Sequence, residues 1–312
     1  MELSWILFQK IFSMMLMLAI GYALVKTGRL KAESSSVLSV IMLWTVTPCT
    51  RLTGLMQEFD AGKLVSLGLT LAASVLIHAL YLILGDLSRK SFGMDTVDRN
   101  SLVYTNAGNL LVPLIIALLG KEYILYIIPY LIVETPLFWT DLIRQFDPRQ
   151  PLVLKKILLN PNILAILAGS VLFFGQISLP KPALDLCESM TSLAGPVSMM
   201  MIGMIAAKLD LKSVICSGRL WAVSFGRLIV FPLIFIGLLA LSGISRQSQL
   251  IHDAFLVTVL AASAPTAATV VQMASAYGSF EQAEQASAVN VLTTLLCVLT
   301  MPFLTALYQI WC

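Results

Sequence analysis

One stretch limits what this chain can fold into: Tyr104-Thr105-Asn106-Ala107-Gly108-Asn109-Leu110-Leu111-Val112-Pro113, continuing apolar to Gly120. It lies inside a run long enough to cross a bilayer, yet carries two amides, a glycine and a proline within eight residues. Proline removes a backbone donor and clashes with the preceding turn. Irregular backbone at membrane depth is tolerated only where protein buries it or a water-filled cavity receives it. A second such place is Ser263-Ala264-Pro265-Thr266-Ala267-Ala268-Thr269. Two interrupted apolar segments in corresponding positions are the sequence mark of a carrier's binding site.

Composition agrees. Of 312 residues, 58% are hydrophobic and 12% charged, with mean hydropathy +0.88. Soluble domains are about 25% charged, so this is an integral membrane protein, with the lipid bilayer as its first partner. The net charge of +3 is small and scattered, which argues against nucleic acid. No linker or charge run separates a soluble domain, so residues 1–312 read as one membrane domain. Cys49, Cys187, Cys216, Cys297 and Cys312 show no CxxC spacing, and His78 and His252 are far apart. The cysteines read as small buried hydrophobes, and neither a metal site nor a cofactor is expected. The N-terminus lacks a basic leader and reads as a first span, not a signal peptide.

Windows of about 20 apolar residues give ten spans. They run near Leu3–Val25, Ser36–Leu55, Leu64–Leu87, Ser101–Leu119, Tyr123–Ile143, Val153–Phe174, Ala183–Ala207, Leu220–Leu241, Ala254–Ala276 and Gln285–Ile310. Counting Lys and Arg by side puts 13 on the loops after spans one, three, five and seven, and 6 on the other side, Arg51 among them. The richer side should be cytoplasmic, which places both termini outside.

The halves resemble each other. Gly21 and Gly169 are 148 positions apart, as are Pro48 and Pro196, while Pro113 and Pro265 are 152 apart. Each first proline is expected to break the second span of its half, and the last pair the fourth. Five spans is an odd number, so the second copy must insert upside down. The expected fold is all-α: ten transmembrane helices in two inverted five-helix repeats, about 1–145 and 152–312, with helices four and nine broken and crossing near the midplane. Coincidence is the bland alternative.

If Pro113 and Pro265 open the second half-helices, the caps are Val112 and Ala264, which have no capping side chain. Free N–H groups at the positive end of a helix dipole make an anion site. Asn106 and Asn109 add amides, and Thr266 and Thr269 add hydroxyls. These six residues form the candidate substrate site; ordinary kinks with amides bridging helices are the alternative. Glu134 is an intramembrane carboxylate, a functional candidate by default, for coupling or charge balance or as a structural residue. Arg227, in span eight, either balances an anion or snorkels to the interface. A singly charged anion leaving a cell negative inside gains roughly 2.3 kcal/mol per 100 mV. With Glu134 outside the two breaks, a potential-driven cycle is favoured. HExxH, DDxxD, GxxxxGK[ST] and GxSxG are all absent, so no enzyme is indicated.

Asn106-Ala-Gly-Asn109-Leu-Leu-Val-Pro113 followed by Gly120 resembles the fourth-helix motif of the auxin efflux carrier family. Ser263-Ala-Pro265-Thr266-Ala with Met273-Ala-Ser-Ala-Tyr277-Gly278 is similar to its ninth-helix motif. Ile20-Gly21-Tyr22 to Leu30, Ala194-Gly-Pro196 to Gly203, and Asn290-Val-Leu-Thr293 to Pro302 fit its first, seventh and tenth helices. The resemblance implies ten helices in two inverted repeats, scaffold and transport domains, often a homodimer, and a substrate site where helices four and nine cross. It also implies carboxylate substrates, auxin-like acids or malate-like dicarboxylates, and the short central loop resembles bacterial permeases. Glu134 stands where an uncharged amide is expected in many relatives. The expected function is secondary transport of small organic anions across a cell membrane by alternating access. The alternative is a transporter-like sensor that binds its ligand without moving it.

Overall fold

The computed structural model describes residues 2–56, 61–150 and 159–312; several side chains, those of Asn109 and Pro113 among them, lie outside the described set. Helix accounts for 85% of the structure, with no strand among the described residues. In the first half α1 is Glu2–Lys26, α2 Ser35–Ile41, α3 Thr47–Leu55, α4 Ala61–Phe92, α5 Thr96–Val103, α6 Val112–Leu118, α7 Ile124–Leu137 and α8 Ile143–Phe146. The second half holds α9 Pro161–Gly175, α10 Lys181–Ser192, α11 Ala194–Ala206, α12 Leu211–Cys216, α13 Gly218–Phe225, α14 Phe231–Ser242, α15 Gln249–Ala262, α16 Ala268–Tyr277 and α17 Phe280–Trp311.

Among the described residues, seven helical stretches are long and apolar enough to span a membrane, and they coincide with expected spans one, two, three, five, seven, eight and ten. Breaks divide spans four and nine into pieces too short to qualify. The described part of span six, Pro161–Gly175, is likewise short, and its expected start at Val153 lies outside the described residues.

Pro48 does not break the second span, as the sequence suggested. A π-turn over Met42–Val46 widens the helix just before it, and Pro48 sits in the first turn of α3. The same device precedes Pro113, at Ala107–Leu111, and Pro232, at Gly226–Val230. A proline ring clashes with the carbonyl one turn back, and a wide turn relieves that clash while the chain stays helical. Pro196 lies within α11, just after a one-residue interruption at Leu193.

Lipid supplies no hydrophobic drive between helices, so close association needs small residues at the contact. Gly21 of α1 meets the Met200 backbone of α11, where an added Cβ would fall 2.1 Å from the Met200 carbonyl oxygen. Gly203 faces the Leu18 carbonyl at 1.9 Å on the same terms, so α1 and α11 touch backbone to backbone. Gly169 of α9 meets Leu55 and the Leu52 backbone of α3. Large apolar side chains such as Leu76, Ile83, Phe92 and Leu241 remain on the outside, as lipid-facing surface requires. The main buried cluster gathers around the two breaks.

Candidate functional site

α5 stops at Val103 and α15 at Ala262, and a short extended piece follows each, directly after α5 and after a turn at Ser263 and Ala264 for α15. The two extended pieces pair antiparallel at Thr105 and Thr266. The Asn106 N–H donates to the Pro265 carbonyl at 2.8 Å and the Ala267 N–H to the Tyr104 carbonyl at 3.0 Å. Backbone that leaves a helix in hydrocarbon must find partners within the protein, and here each break supplies them to the other.

This geometry moves the caps. The residues before the second half-helices are Asn106 and Ala267, not Val112 and Ala264. Pro113 lies beyond a π-turn, in the first turn of α6, whereas Pro265 lies inside the extended piece. The prolines 152 apart are therefore not equivalent; the crossing threonines are. Mutual pairing of the extended strands fixes where the helices stop, and the π-turn absorbs Pro113. No side chain caps either following turn.

The crossing has two sides. On one, the half-helices α5 and α15 end with orphan carbonyls. Arg227, fully buried, is spent on them: it donates to Ala262 at 2.8 Å, to Ala264 at 2.9 and 3.1 Å, and to Leu102 at 3.2 Å. Its guanidinium also stacks on the Tyr81 ring, 5.3 Å from the centroid. Arg227 does balance charge, that of two helix C-termini, and it does not line the cavity described next.

On the other side the N-termini of the second half-helices border a cavity of about 250 Å³. Its wall includes Thr105, Asn106 and Gly108 from the first break, Thr269 and Gln272 from α16, and Arg51, Glu134, Thr135, Asn160 and Asn162 from neighbouring elements. Asn106, 3% exposed, keeps its side-chain Nδ2 without a partner. Thr266 faces the packing: its hydroxyl donates to Ser101 at 3.0 Å, its N–H to Thr293 at 3.2 Å, and its carbonyl accepts from Asn290 at 2.7 Å. Pro265 shapes the break without lining the cavity.

Glu134 does not lie outside the breaks. Its Oε1 accepts from the Thr105 N–H at 2.9 Å and the Thr105 hydroxyl at 2.8 Å, so the carboxylate serves one crossing residue as Asn290 serves the other. Reading the sequence missed Arg51. Counted there as an outer-loop charge, it is 6% exposed on α3 and lines the cavity. The signal was available, since Arg51 falls within the expected span Ser36–Leu55.

A helical membrane protein with two mutually paired breaks beside a polar cavity has the outline of a carrier, and the comparisons agree. The family model described as membrane transport protein matches residues 6–152 and 148–305. The chain belongs to this auxin efflux carrier and membrane transport family. No curated protein matches it. It is accordingly a multi-pass membrane transporter.

Further polar contacts brace the transporter's site. Tyr104, whose carbonyl holds the crossing, donates its hydroxyl to Asp141 at 2.5 Å. Asp141 also pairs with Arg99, which reaches Asp86 at 2.9 Å. The transporter's cavity is adjoined by a second of about 700 Å³, sharing Ser39, Met201 and Gln272 and reaching Glu33, Lys208 and Phe280. Between α6 and α7 and at α10, Lys121 and Glu188 pair at 3.1 Å across an exposed surface. In the central loop, hydrogen bonds from the Gln150 side chain and the Arg149 N–H hold the Asp147 carboxyl below the ordinary carboxylate range.

Proposed function

We propose that the transporter moves small organic anions across a cell membrane by alternating access, holding them on the N-terminal side of the crossing. The observation that carries this is the cavity wall, which joins the starts of two half-helices to unspent amide and guanidinium donors. Helix N-termini and unspent N–H donors favour negative charge. No described feature favours the sensor alternative.

The fold proposed is ten spans in two inverted five-helix repeats. The offset of 148 that relates Gly21 to Gly169 also separates Leu52 from Met200, the residues these glycines meet. Contacts that repeat with their partners support a true repeat more strongly than matching prolines do. Moving Arg51 into the membrane widens the charge bias, from 13 against 6 to 13 against 5. The basic loops are placed in the cytoplasm and the termini outside. The two cavities reach Tyr277, Asn160 and Glu33 near those loops, which supports reading this state as inward-facing in the proposed orientation.

Purified transporter in proteoliposomes is expected to accumulate mono- or dicarboxylates above protein-free vesicles and to show counterflow when preloaded. Binding of an acid without counterflow would favour a sensor. Single cysteines replacing Arg149 and Gln247, both exposed, in a cysteine-free background test orientation. Arg149→Cys should label from the cytoplasm and Gln247→Cys from outside. Reversed labelling contradicts the orientation, and labelling from one side contradicts the span count.

A further inference from the structure

We propose that Arg51 is the transporter's ligand for the substrate carboxylate, an inference that rests on the organic-anion reading above. A buried cation in a membrane protein is ordinarily paired or spent on carbonyls. Arg227 shows that rule obeyed; Arg51 feels Glu134 across the cavity but is neither ion-paired with it nor spent on carbonyls. Among the described residues its guanidinium has no carboxylate within ion-pairing distance, and its one hydrogen bond runs from Nη1 to the Thr135 hydroxyl at 3.0 Å. Its Nε is buried without a partner.

The chemistry of the vacant edge names the ligand. Nε and Nη2 form one side of the guanidinium, two parallel N–H groups whose spacing matches the two oxygens of a carboxylate. Thr135 occupies Nη1, at the other end of the group, and so fixes the fork without filling that edge. Nη2 lies against the first turn of the broken helix, 3.9 Å from where a Cβ on Gly108 would stand. The guanidinium thus sits within van der Waals reach of the first turn after the crossing. The unpartnered Asn106 Nδ2 borders the same cavity and offers a further donor. Arg51 also comes from α3, outside the broken helices, so an anion between it and the half-helix starts would connect the crossing to a neighbouring helix.

Acid-over-amide preference is the direct readout, because the amide keeps the substrate's shape and removes its charge. Binding of succinate against succinamide, and of phenylacetate against phenylacetamide, would be measured on purified wild type, Arg51→Gln and Arg51→Lys that elute as folded protein on gel filtration. Arg51→Gln should weaken acid binding about 10- to 100-fold and amide binding far less, so the preference collapses. Arg51→Lys keeps the charge and loses the fork, and should fall between. If Arg51→Gln does not fold, Arg51→Lys decides alone: wild-type acid preference in it overturns the proposal. Wild-type preference in Arg51→Gln overturns it too, and if the variant still accumulates acids the organic-anion reading survives. A wild type with no acid preference across a panel of mono- and dicarboxylates removes both.

Discussion

Arg227→Met is expected to be the most damaging single substitution at the crossing, and to act on stability before transport. Methionine fills similar space with no donor, which leaves the carbonyls of Leu102, Ala262 and Ala264 facing each other in a site that Arg227 fully occupies. A buried polar group stripped of its partner costs about 1–3 kcal/mol. Ala262 keeps the Tyr81 hydroxyl at 3.3 Å, so the carbonyls of Leu102 and Ala264 are the two stripped, and the total is on the order of 2 kcal/mol or more, a sizeable part of a typical margin of stability. The negative ends of α5 and α15 also lose their counter-charge. Arg227→Lys retains the charge but cannot reach three carbonyls at once, so it should fall between wild type and methionine. Thermal unfolding of detergent-purified protein and the fraction eluting as folded protein measure this. An Arg227→Met protein with wild-type stability and no substrate binding would make Arg227 the anion's ligand, and would count against the assignment of that role to Arg51.

The two arginines also show what could be read from the sequence. That helices four and nine would be interrupted was legible, because Asn, Gly and Pro together cannot continue an ordinary helix in lipid. Where each helix stops was not. That is decided by the pairing of Thr105 with Thr266 between segments 161 positions apart, and no local propensity encodes such a partner. Prolines misled for the same reason: Pro48 and Pro113 looked like breaks, but a π-turn ahead of each keeps the chain helical. Asn106 and Thr269 were named for their place at the two expected breaks and Glu134 for its depth, and the fold brings all three to one cavity. Arg51 was missed because four nearby polar residues, Thr47, Thr50, Thr53 and Gln57, make its segment resemble a span end. Depth is a property of how α3 packs against α9, which composition does not report.

Glu134→Gln is expected to uncouple transport from the proton gradient. Sequence alone favoured a cycle driven by potential because Glu134 seemed remote from the breaks, and that reason is gone. Among the described residues of the cavity wall the formally charged ones are Arg51 and Glu134, of opposite sign, so their charges balance. A bound monoanion adds one negative charge in a low-dielectric site, where uncompensated charge is costly. Protonation of Glu134 restores balance, and because both Thr105 donors fall on Oε1, Oε2 is left to carry the proton. The other ionisable groups around Glu134 are Tyr130 on its own helix, His78 of α4 against the Tyr130 ring, and Arg227 across the crossing. His78 Nδ1 is held at the Ser74 carbonyl and Arg227 is spent on its three carbonyls, and neither residue lines the cavity as Glu134 does. One proton per anion lets a gradient of one pH unit, about 1.4 kcal/mol, support about tenfold accumulation. Proteoliposomes held at zero potential and made acidic outside should therefore accumulate a monocarboxylate roughly tenfold per pH unit, after subtraction of entry into protein-free vesicles. Glu134→Gln, fixed in the neutral form, should still exchange substrate across the membrane but lose that accumulation. Wild-type flux that ignores the pH gradient and follows an imposed voltage would restore the potential-driven cycle and leave Glu134 as a brace for Thr105.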